Sequence, residues 1–238
     1  MHKAVEELMG KVIVSCQAYE DTPLYGPTYM KAMAESVLLG GAAGIRACWP
    51  QDIRSIRSIT DKPIVGIYKE YAQGDPLDTV FITPTFERAK EVIEAGADIV
   101  GIDCTIRESR SFAQLKALLK QIKEAYPSIA IMADLATLEE GILVAESGFV
   151  DIISTTLHGY TRNTVHEKRE QPNVALIHEL KQRVELPVNG EGRLWTLEDM
   201  KAMLDAGADM VTVGTAITRP HLITERFVSY HEELKKSR

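Results

Sequence analysis

The chain predicts an α/β fold, a single-domain (β/α)₈ TIM barrel over residues 1–238. Three observations carry that prediction: eight short candidate strands, helix-period segments between most of them, and a junction motif that recurs. Strands that alternate with helices imply a parallel sheet with crossover helices, and eight such units in about 240 residues fit a closed barrel.

The junction is an amphipathic helix, then Gly-Ala-Asp or a variant, then a strand. It reads Ala95-Gly96-Ala97-Asp98 into Ile99-Val100-Gly101-Ile102, and Ala206-Gly207-Ala208-Asp209 into Met210-Val211-Thr212-Val213. Weaker copies are Gly40-Gly41-Ala42-Ala43 before Gly44-Ile45 and Ser147-Gly148-Phe149 before Val150-Asp151-Ile152-Ile153. Glycine ends a helix because it accepts the left-handed conformation at the C′ position. An apolar run without alternation suits a strand buried on both faces.

In order, the first strand is Val12–Cys16, followed by a helix over Tyr29–Leu39 and a second strand at Gly44–Arg46. A helix over Gln51–Ile59 leads to the third strand, Ile64–Tyr68, and one over Phe86–Ala95 leads to the fourth, Ile99–Asp103. Phe112–Ala125 is helical before strand Ala130–Ala133. The Thr137-x-x-Glu140 capping box starts a helix over Leu138–Ser147 before strand Asp151–Ser154. Helix Ala175–Arg183, strand Val188–Glu191, helix Leu197–Ala206, strand Met210–Val213 and a last helix over Leu222–Leu234 complete the series. The loops over 70–79 and 157–173 are long for a barrel, and both follow a strand's C-terminal end.

Composition narrows the function. Lys plus Arg number 27 against 34 Asp plus Glu, a net charge of −7, which excludes a general nucleic-acid binder. No apolar run approaches the ~20 residues that span a bilayer. The first eight residues carry the acidic Glu6 and Glu7 where a secretory leader would be apolar, so a cytoplasmic protein is expected. Cys16, Cys48 and Cys104 form no CxxC pair, which argues for small buried thiols over zinc or disulfides.

Active residues of such barrels project from the C-terminal strand ends. Those ends carry Gln17, Arg46, Lys69, Asp103, Asp134, Thr155, Thr156, His158, Glu191, Gly214 and Thr215. Lys69 sits where a buried strand opens into the mouth, a position for a base or an amine nucleophile. Glu191, flanked by Gly190 and Gly192, is a candidate proton carrier or counter-charge to Lys69, the alternative being a salt bridge to Lys69 or Arg46 that only holds the mouth together. The loops after strands seven and eight are the usual phosphate loops of this fold; here they supply Gly192, Arg193, Gly214, Thr215 and Arg219. His158 and Tyr160 either contact substrate or order the long sixth loop, the second being favoured. Asp103 and Asp134 bind hydroxyls or orient neighbours, and lack the nearby His of many metal pairs. His2, His166, His178 and His231 read as surface residues.

Several runs, taken together and in order, are specific: Val12-Ile13-Val14-Ser15-Cys16-Gln17, Pro63-Ile64-Val65-Gly66-Ile67-Tyr68-Lys69, Thr155-Thr156-Leu157-His158-Gly159-Tyr160-Thr161, Gly190-Glu191-Gly192-Arg193 and Ala216-Ile217-Thr218-Arg219-Pro220. On these the chain resembles the N-acetylmannosamine-6-phosphate 2-epimerase family over nearly its whole length. The resemblance implies interconversion of N-acetyl-D-mannosamine 6-phosphate and N-acetyl-D-glucosamine 6-phosphate in sialic-acid catabolism, with no metal or organic cofactor. It implies Lys69 as acid/base lysine, Glu191 as its carboxylate partner, Gln17, Arg46 and Asp134 as sugar contacts and Arg219 as the phosphate-side arginine. It also implies a homodimer that uses the C-terminal end.

The chain departs from the family's usual pattern after the third strand, where Lys69-Glu70-Tyr71 stands for Lys-Arg-Asp, and at Val188-Asn189-Gly190-Glu191. Two other readings of the same residues are a Schiff-base phosphosugar aldolase using Lys69 and a non-catalytic sugar-phosphate-binding protein using the loop Gly214–Arg219.

Overall fold

A computed structural model describes residues 1–70, 74–167 and 170–236. Positions 71–73 and 168–169 lie outside the described residues, and with them Tyr71 and parts of both long loops. Eight parallel strands close into a barrel in chain order: β1 (Val12–Cys16), β2 (Gly44–Cys48), β3 (Ile64–Ile67), β4 (Ile99–Asp103), β5 (Ala130–Asp134), β6 (Ile152–Ser154), β7 (Val188–Glu191) and β8 (Met210–Val213). Each pairs with its neighbour, and β8 pairs with β1 through Val12 opposite Val211. The expected strands are all present. β2 runs two residues further than expected, β5 one further, and β3 stops one residue short, at Ile67.

The helices are α1 (Lys3–Leu8), α2 (Pro27–Leu39), α3 (Pro50–Arg57), α4 (Phe86–Glu94), α5 (Phe112–Ala125), α6 (Leu138–Ser147), α7 (Val174–Arg183), α8 (Leu197–Asp205), α9 (Thr215–Thr218) and α10 (Pro220–Lys236). Helix α1 was not expected. Its Ala4, Val5 and Leu8 are buried and cluster with Ile13, Val65, Ile99, Ala130, Met132, Ile152 and Met210, so it closes the N-terminal end of the barrel. His2, expected at the surface, is half-buried as the N-cap of α1, and its Nε2 contacts the Ser128 carbonyl.

The junction motif does more than stop helices. Gly96, Gly148 and Gly207 adopt φ of 108°, 74° and 104°. The aspartate that follows clamps the preceding strand. Asp98 accepts from the backbone N–H of Ile64 and pairs with Arg57, Asp151 accepts from Ile131 and Lys123, and Asp209 accepts from Val188 and Lys181. Each clamp therefore ties one strand's start to the next junction and to the helix that precedes that strand. Among the described residues no helix is long and apolar enough to cross a membrane.

Inside the barrel the lower layer is apolar and the upper layer is polar. Above Met132 and Ile152 lie Arg46, Asp134, Ser154, Asn189 and Thr212, all buried. Gly101 of β4 makes that layer possible. A Cβ there would lie 2.6 Å from Ile67 Cγ2, 3.4 Å from Asp134 Oδ2 and 3.7 Å from Arg46 Nη2.

Candidate active site

Arg46, from the middle of β2, reaches across the barrel. Its Nη1 and Nη2 donate to Asp134 Oδ1 and Oδ2 of β5 at 3.0 and 2.6 Å, and Nη1 also donates to Glu191 Oε2 of β7 at 3.1 Å. Arg46 and Asp134 are 1% and 0% exposed, and the Glu191 side chain is 12% exposed. Fork-to-carboxylate pairing fixes the guanidinium in one plane. Two carboxyl groups thus face one guanidinium in a largely buried site.

A hydroxyl–amide relay surrounds that pair. Thr156 Oγ1 donates to Asp134 Oδ1 at 2.7 Å and lies 2.8 Å from Ser154 Oγ. Asn189 Nδ2 donates to Ser154 Oγ at 2.8 Å and to Glu191 Oε2 at 3.3 Å, while Thr212 Oγ1 donates to Asn189 Oδ1 at 3.0 Å. Ser154, Asn189 and Thr212 were not anticipated. Their signal in the sequence is a polar residue inside an otherwise apolar strand, at the register that faces the lumen.

Burial raises the Glu191 carboxyl above its ordinary value of 4.5, against the opposing pull of Arg46 and with a further push from Asp134; the Lys69 cation also lowers it. Glu191 therefore holds a proton more readily than an ordinary glutamate. Lys69 is half-buried just past β3. Its main chain is pinned on both sides: Trp49 Nε1 donates to its carbonyl at 3.0 Å, and it bridges to Ile82. Its Nζ donates to the Tyr19 hydroxyl at 2.8 Å.

Gln17 is buried, with Nε2 donating to Ser15 Oγ at 2.7 Å. Among the described residues Gln17 Oε1 and Arg46 Nε are buried with no hydrogen-bond partner. Such an acceptor and donor at a barrel mouth are ready for a polar ligand.

The phosphate candidates sit at the ends of β7 and β8. Gly214 begins α9 without a side-chain cap, Thr215 is its first residue, and Arg219 follows its end with the guanidinium carbon 4.6 Å from the Tyr19 ring centre. Gly192 has φ of 113°. Arg193 has φ of 60°; its Nη1 donates to the His158 carbonyl at 3.0 Å, and its guanidinium carbon lies 5.2 Å from the Tyr160 ring centre. It is turned toward the β6 loop.

His158 is buried, with Nδ1 3.0 Å from the Ala136 carbonyl oxygen and Nε2 3.0 Å from Asn173 Nδ2. This is the ordering role, while Tyr160 is exposed. Asp103, level with Asp134 at the end of β4, is buried and satisfied by its own loop. It accepts from Thr105 Oγ1 at 2.6 Å, from Arg107 Nη2 at 3.4 Å and from Arg110 Nη2 at 3.3 Å. Arg107 Nη1 in turn donates to the Leu77 carbonyl at 2.8 Å, tying the β3 and β4 loops. Among the described residues no group of three His, Cys, Asp or Glu is placed to hold a metal ion. The three cysteines are buried, and burial pushes Cys16 and Cys48 up to about 12.

Comparison with known proteins adds the family. The family model described as "Putative N-acetylmannosamine-6-phosphate epimerase" matches residues 30–233. A protein of Caldanaerobacter subterraneus subsp. tengcongensis named "Putative N-acetylmannosamine-6-phosphate 2-epimerase" is 45% identical over 233 residues, covering 98% of this chain and 96% of that one. The solved N-acetylmannosamine-6-phosphate 2-epimerase from Clostridium perfringens superposes with a TM-score of 0.88 at 37% identity, covering 96% of each chain. Deoxyribose phosphate aldolase from Aeropyrum pernix, at 16% identity and a TM-score of 0.64 over 89% of this chain and 88% of that one, shares the fold alone.

Proposed function

The chain belongs to the N-acetylmannosamine-6-phosphate epimerase family, and from that premise we propose that it interconverts N-acetyl-D-mannosamine 6-phosphate and N-acetyl-D-glucosamine 6-phosphate. The two sugars differ only at C2. In the open-chain form C2 lies next to the C1 aldehyde, so its proton is acidic. Removing it gives an enediolate, and returning a proton to the other face inverts the centre.

The observation that carries the residue assignment is Glu191, held by Arg46, raised by burial and close enough to Lys69 to feel its charge. The scheme needs one proton across the two residues, although Glu191 is paired with Arg46 and Lys69 Nζ donates to Tyr19. With that proton on Glu191, the Lys69 amine takes the C2 proton, while Glu191 gives its proton to O1 as charge develops there. Arg46 stabilises the same oxygen electrostatically. The reverse transfers, to the opposite face, complete the epimerisation. Gln17, Arg46 and Asp134 hold the sugar; the unpartnered Gln17 Oε1 and Arg46 Nε support that role. Arg219 and the loops at Gly192, Arg193, Gly214 and Thr215 take the phosphate, and His158 with Tyr160 shapes the wall beside them. No metal or organic cofactor enters this scheme. The reaction's place is sialic-acid catabolism in the cytoplasm, since a sugar phosphate does not cross membranes unaided.

The active form is a homodimer. Helix α10 has no buried residue, and Phe227, Val228, Tyr230 and Leu234 are exposed along it. An apolar helix face of this kind fits a protein partner better than water.

The test is incubation of the purified protein with N-acetylmannosamine 6-phosphate followed by NMR. Appearance of the glucosamine epimer supports the proposal. Borohydride trapping of a mass-shifted Lys69 together with carbon–carbon cleavage products would favour the aldolase, and binding without turnover would favour a silent binding protein.

A further inference from the structure

Tyr19 touches both Lys69 and Arg219. It lies two residues past Gln17 in the loop after β1 and is half-buried. Its hydroxyl accepts from Lys69 Nζ at 2.8 Å, and its ring centre is 5.2 Å from that nitrogen. The same ring centre is 4.6 Å from the Arg219 guanidinium carbon. On its edge it meets Trp49, with ring centres 6.4 Å apart and planes at 81°. One side chain thus touches the amine assigned to C2 and the guanidinium assigned to the phosphate on C6.

The surroundings are stiff. Trp49 takes φ of 68°, uncommon for a bulky residue, while its indole donates to the Lys69 carbonyl. Beside Tyr19 the β1 and β8 loops leave a pocket of about 20 Å³, lined by Gln17, Tyr19, Thr218 and Arg219 among others, which is room for about one water molecule.

A guanidinium can lay its face on an aromatic ring while its edge forks onto a phosphate. Phosphate binding and the stack on Tyr19 are therefore compatible, and each orders the other. We infer that Tyr19 is a positioning residue that transmits phosphate binding at Arg219 to the alignment of the Lys69 amine. Phosphate fixes Arg219, Arg219 fixes the ring, and the phenol hydroxyl fixes Nζ. Binding energy from a remote, unreacting group is thereby spent on orienting the base. This inference rests on the assignment of Lys69 and Arg219 under the proposed function.

The test reads Lys69 directly. The rate of reductive methylation of Lys69 is followed by mass spectrometry, with saturating inorganic phosphate or with chloride at matched ionic strength, in wild type and Tyr19→Phe. Phosphate should slow Lys69 labelling in wild type on the order of threefold. The Phe variant should label faster than wild type and show no phosphate response. Its kcat on the sugar phosphate should fall about tenfold with KM little changed, the split expected when a hydrogen bond aligns a base without binding substrate. No phosphate effect in wild type, or the same effect in Tyr19→Phe, would overturn the coupling. The labelling needs no turnover. A protein that labels as expected but converts no sugar phosphate keeps the coupling and loses the proposed reaction; an active epimerase with an unchanged phosphate response in Tyr19→Phe does the reverse.

Discussion

Arg46 and Asp134 meet across the inside of the barrel through two parallel hydrogen bonds, Nη1 to Oδ1 at 3.0 Å and Nη2 to Oδ2 at 2.6 Å. Both are fully buried, and the pair fits because β4 carries Gly101 beside it. Removing one partner of such a pair strands a charge in a dry interior, which costs ~3–5 kcal/mol. Asp134→Ala should therefore lower stability by about that amount and abolish turnover, as read by urea unfolding and by epimerisation rate. A stability change near zero would mean that Glu191 alone satisfies Arg46.

Glu191 should define the acid limb of the kcat/KM profile. Its carboxyl is raised above 4.5 by burial, and the proposed scheme runs with one proton across Glu191 and Lys69, so a second proton taken up below that raised value stops it. Activity should fall as pH drops through it, and the limb should lie above pH 4.5. Glu191→Gln should lose that limb and cut the rate ~10²–10⁴-fold. An unchanged acid limb in Glu191→Gln would assign it to another group.

Asp52 offers a pH test of stability. It is 1% exposed in the first turn of α3, both carboxyl oxygens lack a hydrogen-bond partner among the described residues, and burial pushes it up to about 6. A raised folded-state value means that the folded protein prefers the protonated acid. Stability from this group is fully present below the unfolded value of 3.8 and is lost as pH rises through about 6. Asp52→Asn should then melt a few degrees above wild type at pH 8 (~2–4 °C for each kcal/mol regained) and gain little at pH 4. An equal gain at both pH values would contradict the burial of an ionised carboxylate.

Helix α10 exposes 73% of Phe227 and 56% of Val228. If this face forms the dimer, Phe227→Asp should halve the mass measured by light scattering while the barrel's circular dichroism is kept. A wild-type monomer, or a dimer untouched by the substitution, would refute the assignment.

The barrel was legible because its repeat is local. The expected strands at Val12–Cys16, Ile99–Asp103, Val188–Glu191 and Met210–Val213 keep the same boundaries in the structure. Helix α1 was hidden because its apolar residues, Ala4, Val5 and Leu8, are few and set among charges, and their burial depends on the barrel end that they close. The mouth residues were legible as polar residues at strand ends. A salt bridge between Glu191 and Arg46 was among the expected arrangements; the fork onto Asp134 was not, because it depends on the closure that sets β5 across the lumen from β2. Asp103 takes Arg107 and Arg110 from its own loop. Tyr19 was missed because it lies past a strand end in an ordinary-looking loop and gains its meaning only beside Lys69 and Arg219.

The central claim is that Lys69 moves the C2 proton. The direct measurement is a proton NMR time course in D₂O, with N-acetylmannosamine 6-phosphate and either wild type or Lys69→Ala. The account predicts that wild type forms the glucosamine epimer as the C2 proton signal is lost, and that Lys69→Ala slows both by ~10²–10⁴-fold or more. Epimer formation and exchange at the wild-type rate in Lys69→Ala would contradict it.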